Sequence, residues 1–385
     1  MIGGKMLASG GYGCVFTPAI NCDGSTDVLT SKKYVSKVQV YNLYAKREIK
    51  IGKKITTIPG YTTHFVPIIK HCKVNLGEIE DRDKGRCEIF KKKRSNLFTT
   101  MKMPFINGTD FIDFMIEYKD NEYIVNKIIH SYTHLLSSVN KLIQNDILHF
   151  DLKGTNILFD YDSKLPLIID FGLSSIMDDM SDEKMKEIFY IFGPDYYIWP
   201  LEVHYMAYII NENPEPSDEN LEHIVTEFVD NNKGLTHNFS PDFIRKYKEK
   251  CLTQLKFYNS LQTFEERKKY IMNYWVTFDN YSISIMYLKF IYFINTNGYT
   301  DNTFITHFTE LLLQNIDPDP KNRLDITNTI QKFYGFLTQD ITVGIKVFNN
   351  LKKNFIDNKK DINKVLKVER KTGKIETLKI RKSLN

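Results

Sequence analysis

The most informative segment of the chain is His149-Phe150-Asp151-Leu152-Lys153-Gly154-Thr155-Asn156, followed by Ile157 to Pro166, Leu167-Ile168-Ile169 and Asp170-Phe171-Gly172. It reads as a polar loop, a short hairpin and a buried strand that delivers an aspartate. Phosphoryl transfer asks little covalent chemistry of a protein. It needs a carboxylate to orient the attacking hydroxyl and oxygen ligands for magnesium. Asp151 can be the first, and Asn156 and Asp170 the second. Asp-Phe-Gly alone is three common residues. An eight-residue loop with Asp-Phe-Gly beginning fourteen residues after its Asn is far more specific.

Working outward, Lys5 to Phe16 places Ala8, Gly10, Gly11, Tyr12, Gly13 and Val15 in a Gly-rich turn between apolar segments. Glycines let a backbone approach phosphates closely, although hairpin turns use them routinely. Tyr34-Val35-Ser36-Lys37-Val38 predicts a strand carrying a lysine. Glu48, eleven residues on, stands on a helical segment. Val66-Pro67-Ile68-Ile69 and Asn96–Phe105 read as strands. The charged stretch Glu78–Arg94, with the quartet Lys91-Lys92-Lys93-Arg94, reads as a solvated loop. Asp110 precedes Phe111-Ile112-Asp113-Phe114 and suits a helix N-cap. Residues 121–145 carry apolar positions at helical spacing.

Composition bounds the rest. The 385 residues and 42% hydrophobic content suffice for a large core. The five cysteines are widely spaced and lack a Cys-x-x-Cys pair, which argues for a reducing compartment and against a zinc site or disulfide framework. The start carries no secretory pattern. The most apolar run, Ile283–Ile294, contains Lys289 and is too short to span a bilayer. An intracellular protein is expected. Residues 351–385 hold twelve Lys/Arg against four Asp/Glu, within a chain whose net charge is +5. That basic tail suits an acidic partner such as nucleic acid or an anionic membrane, or simple solvation.

The loop with its Asp-Phe-Gly resembles the H-R-D-L-x-x-x-N and D-F-G segments of eukaryotic-type protein kinases. Further segments arrive in the kinase order: Trp199-Pro200-Leu201-Glu202, Asp279-Asn280-Tyr281-Ser282-Ile283-Ser284, and Asp317-Pro318-Asp319-Pro320-Lys321-Asn322-Arg323. The Gly-rich segment to Cys22 is similar to that of kinases encoded by large nucleo-cytoplasmic DNA viruses.

The resemblance implies an α+β, two-lobed protein-kinase-like fold: a small antiparallel β-sheet lobe over 1–106 and a larger mainly helical lobe over 107–340. A helical insertion at 205–272 and a basic tail over 341–385 complete it. It implies ATP and Mg2+ as cofactors, with Mn2+ able to substitute, and protein substrates. Lys37 would bridge the α- and β-phosphates with Glu48 as its partner. Asp151 would orient the nucleophile, Lys153 would touch the γ-phosphate as in the serine/threonine class, and Asn156 and Asp170 would hold metal. Ala8, Gly10, Gly11, Tyr12, Gly13 and Val15 would cover the phosphates. Val35, Met103 (gatekeeper), Pro104, Ile106 and Leu158 would line the adenine site, and Asp110 would reach ribose. Arg323 would pair with Glu202.

Two departures stand out. Phe150 replaces the Arg that receives an activation-loop phosphate, so the loop is expected to order by apolar packing of Ile188 to Trp199. The usual Thr of that region is missing, with Asp195 near its place. A kinase-fold scaffold would be expected to lose Lys37, Asp151 or Asp170, and all three are present.

Overall fold

The computed structural model describes residues 5–9, 13–22, 33–74, 85–91, 97–117, 124–178, 181–295 and 303–339. Gly10, Gly11, Tyr12, most of the charged stretch Glu78–Arg94 and the basic tail lie outside the described residues. The class is α+β, as expected. The described residues fall into two units, one drawn from positions 5–114 and 154–174, the other from 115–153 and 175–339.

The first unit is built on five antiparallel strands, β1 (Lys5–Ser9), β2 (Cys14–Thr17), β3 (Tyr34–Val40), β4 (Lys70–Val74) and β5 (Phe98–Pro104), in the order β1-β2-β3-β5-β4. Register decides what each face does. Ala8 pairs with Val15, Val15 with Lys37, Lys37 with Met101 and Val35 with Met103. Because side chains alternate along a strand, these residues share one face. Cys14, Phe16, Val38, Cys72, Val74 and Phe98 share the other, and most of them form a buried apolar cluster with Cys87 and Ile20. Gly13 is required by packing: a Cβ there would lie 2.8 Å from the Val38 carbonyl oxygen.

On the apolar face the sequence reading needs correction. Cys14 is bonded to Cys87 and Cys22 to Cys72, leaving Cys251 as the free cysteine. Sequence separations of 73 and 50 residues gave no pairing signal. Strand register puts Cys14 of β2 and Cys72 of β4 on the apolar face, and the Cα atoms of Cys87 and Cys22 come to 6.0 and 5.7 Å from theirs, inside bridging range.

Helix Leu43–Ile55 follows β3. Asn42 caps it by accepting from the Ala45 amide at 3.1 Å, and Lys53 and Lys54 occupy its last turn, where cations suit the helix dipole. Ala45, Glu48, Ile49, Gly52 and Ile55 form its buried stripe. A second sheet joins Gly108–Asp110, Ile157–Asp160 and Leu165–Ile168. Its hairpin turns where Asp160 accepts from the amides of Asp162 and Ser163, with Lys164 left-handed at φ 60°.

The second unit is mainly helical. Ile124–Ile143 and Phe278–Asn295 are largely buried; Ser131 and Tyr287 meet between them at 2.7 Å. Among the described residues no helix is long and apolar enough to cross a membrane. Residues 205–272 form helices with clear start signals. Ser217 with Asn220 and Thr263 with Glu266 make capping boxes, and Ser240 caps a helix whose first residue is Pro241.

Candidate active site

In the sheet-bearing unit, Lys37 is buried on β3. Its ammonium lies 3.0 and 3.1 Å from the two Glu48 oxygens and 2.9 Å from Asp170 Oδ1. The eleven-residue connection therefore closes the Lys37–Glu48 pair, since Glu48 falls on the buried stripe of its helix. Burial alone would lower the Lys37 amine, but Asp170 and Glu48 outweigh it and hold the amine above its ordinary value. It is a fixed cation.

Asp170 sits at φ 58° and caps the turn Phe171–Leu173. A non-glycine residue held there carries strain. Its neighbour Phe171 is buried edge-on against Phe65, with centroids 6.2 Å apart. The Asp170 side chain is 42% exposed, unlike that of Glu48, at 4%, so it can present oxygen outward. Asn156 ends the turn Gly154–Asn156, and its carbonyl accepts from the Ile169 amide at 2.9 Å. One carboxylate and one amide oxygen donor suit Mg2+, which keeps waters and phosphate oxygens in its shell.

The same face of the sheet carries Ala8, Val15, Val35 and Met103. Pro104 pairs with Tyr34 at the end of β5, and Ile106 follows in a half-buried segment. Leu158 is buried and pairs with Leu167 and Asp110. Asp110 itself is buried and accepts from the Asp113 amide at 2.9 Å, the geometry of a helix cap, which is compatible with the ribose role.

In the helical unit, the loop around Asp151 is held by residues far along the chain. Asp279 accepts from the His149 and Phe150 amides at 2.8 and 3.0 Å. Burial pushes the Asp279 carboxyl up, against the pull of His149 and of those two amides. Phe150 is left-handed at φ 67°, unusual for a bulky residue. Its ring stacks on Trp199 at 4.8 Å and meets Phe189 edge-on at 6.3 Å, and the Trp199 indole N–H donates to its carbonyl. Ile191, expected in the same packing, is instead 49% exposed, since it lies in the irregular chain beyond the helix Asp182–Ile188. Asp151 lies 3.2 Å from the Lys153 ammonium and accepts from the Tyr196 hydroxyl.

Glu202 and Arg323 form a bidentate pair at 2.6 and 2.8 Å with neither side chain exposed. Arg323 also donates to the Asp317 carbonyl at 2.7 Å. These contacts tie the helix Leu201–Asn211 to the segment before Ile326–Gln339.

Sequence reading missed three residues. Asp279 lay in a recognised segment but carried no role. Trp199 and Tyr196 counted as apolar mass, and no spacing announces a hydrogen bond spanning 45 or 49 residues.

The protein kinase domain model matches residues 4–200. The alpha subunit of the CTD kinase of Saccharomyces cerevisiae is 33% identical over 95 residues, covering 22% of this chain and 18% of that protein. A subunit of the EKC/KEOPS complex of Schizosaccharomyces pombe is 33% identical over 82 residues, covering 21% of this chain and 34% of that protein. The matches thus span about a fifth and a third of those relatives. Among solved structures, the autoinhibited serine kinase domain of the giant muscle protein titin is 14% identical, with a TM-score of 0.44 over 86% of this chain and 78% of that one.

Proposed function

Because the chain belongs to the protein kinase domain family, we propose that it is a serine/threonine protein kinase that transfers the γ-phosphate of ATP to protein hydroxyls. The observation that carries this reading is the buried Lys37 cation shared by Glu48 and Asp170. Three buried or half-buried charges are costly to keep together. They make sense where a phosphate chain is to be gripped and a metal ligand oriented.

In this reading Lys37 binds the α- and β-phosphates and Glu48 keeps it aimed. Asn156 and Asp170 hold Mg2+, which when bound neutralises charge on the phosphates; Mn2+ can replace it. Asp151 orients the acceptor hydroxyl and takes its proton, and Lys153 steadies the γ-phosphate. Ala8, Gly10, Gly11, Tyr12, Gly13 and Val15 cover the phosphates. Val35, Met103, Pro104, Ile106 and Leu158 line the adenine slot, and Asp110 stands at the ribose. The serine/threonine assignment rests on Lys153, and phosphoamino-acid analysis of labelled substrate tests it. Phosphoserine and phosphothreonine are expected; mainly phosphotyrosine refutes it.

Similarity of the Gly-rich segment supports kinship with kinases of large nucleo-cytoplasmic DNA viruses, acting in the host cytoplasm or the virion. The basic tail supports an acidic partner. Deleting residues 357–385 should then weaken heparin binding at low salt, and unchanged binding would show the tail to be merely solvated.

A further inference from the structure

Within the helical unit, the Tyr196 hydroxyl donates to Asp151 Oδ1. Lys153 Nζ donates to that phenol oxygen at 3.1 Å and lies 3.2 Å from Asp151 Oδ2. The ammonium also stands over the Tyr196 ring, 5.5 Å from its centroid. Carboxylate, ammonium and phenol close a triangle on the residue that the kinase reading makes the base.

Tyr196 is delivered by a braced turn. Its amide donates to the Gly193 carbonyl at 3.0 Å, its carbonyl accepts from the Trp199 amide at 3.2 Å, and its ring meets Trp199 edge-on at 5.0 Å. Trp199 is stacked on Phe150 and bonded to its carbonyl. The turn is thereby fastened to the residue preceding Asp151. The segment Gly193-Pro194-Asp195-Tyr196-Tyr197-Ile198 offers no serine or threonine, so a tyrosine must supply any hydroxyl.

We propose that Tyr196 is a positioning residue for phosphoryl transfer: its hydroxyl, with Lys153, stops the Asp151 carboxylate from rotating and keeps the ammonium beside it. The inference rests on the kinase reading. A carboxylate oxygen can accept about two hydrogen bonds. A contact on each of its two oxygens therefore holds the group in one orientation. Positioning of this kind acts on the reacting complex rather than on nucleotide affinity.

The test uses the full chain as wild type, Tyr196→Phe, Tyr197→Phe and Asp151→Ala. It reads kcat, KM for ATP and the thermal unfolding midpoint, with a basic protein as acceptor. Tyr196→Phe keeps the ring on Trp199 and removes the hydroxyl. The expected result is a kcat lowered by about tenfold or more, the scale of one lost charge-assisted hydrogen bond. KM for ATP should stay within about twofold, and the midpoint and the Tyr197→Phe control should match wild type.

An unchanged kcat overturns the inference. So does a raised one, which would mean that the phenol blocks the acceptor's place. Phosphate found on Tyr196 by mass spectrometry after incubation with ATP also overturns it, since the hydroxyl would then be an acceptor. Wild type no faster than Asp151→Ala overturns the kinase reading itself, and this inference with it. A lowered midpoint moves the decision to the double variant with Lys153→Met, assayed below the transition. Positioning requires Lys153→Met to cost less kcat in the Tyr196→Phe background than in wild type, and equal costs overturn it.

Discussion

At the scale of single residues, burial sets which charges are fixed and which can move. Lys37 and Arg323 are buried beside carboxylates and stay cationic. His204 is the opposite case. It is buried, with its ring 6.0 Å from Trp199 and 5.5 Å from Phe228. Burial pushes its imidazole down to about 3, against a smaller upward pull from the Trp199 and Tyr196 backbones. The unfolded chain, with an ordinary imidazole near 6.5, takes up a proton that the folded one refuses. Stability from this group is therefore complete above the unfolded value and declines as pH falls toward the folded one, by about 1.4 kcal/mol per pH unit. Urea unfolding of wild type and His204→Phe between pH 7 and pH 4 checks this. The wild-type curve should fall more steeply; parallel curves contradict the assignment.

At the scale of elements, the segment after Asp-Phe-Gly is packed against the catalytic-loop residue Phe150 through Phe189 and Trp199. Phe150 cannot receive a phosphate, and it is occupied by Trp199 and Phe189. Burying such aromatics contributes a few kcal/mol, against about one or two for a phosphate–Arg contact. Ser174 and Ser175 are buried, and Ser181 caps the helix Asp182–Ile188 through the Lys184 amide. Protein made in bacteria and treated with phosphatase is expected to keep most of its activity. A loss of about tenfold or more that rephosphorylation restores would show a phosphate switch after all.

This scale also shows what a sequence can disclose. Local features were legible. The hairpin after Asn156 announced itself by its turn residues, and Glu202 with Arg323 by two halves of one pair. Contacts made only by tertiary register were not. The two disulfides, the Asp279 anchor of the loop and the Tyr196–Asp151 bond join residues 45 to 130 positions apart. Each partner taken alone is an ordinary strand, helix or turn residue.

At the scale of the molecule, the proposed reading asks each unit for its own part of the chemistry. The sheet-bearing unit gathers Lys37 of its sheet, Glu48 of its helix and Asp170 of a short turn, with Asn156 in the turn before the hairpin, while the opposite face of the sheet is apolar and disulfide-linked. The helical unit presents Asp151 and Lys153, anchored by Asp279 and Trp199. Catalysis by a kinase requires both sets. The most direct measurement is transfer of radiolabelled phosphate from ATP to a panel of basic and acidic proteins, by wild type beside Asp151→Ala and Asp170→Asn. On the proposed roles, loss of either carboxylate should cut incorporation by about a hundredfold or more. Incorporation that survives either substitution near the wild-type level would contradict the account.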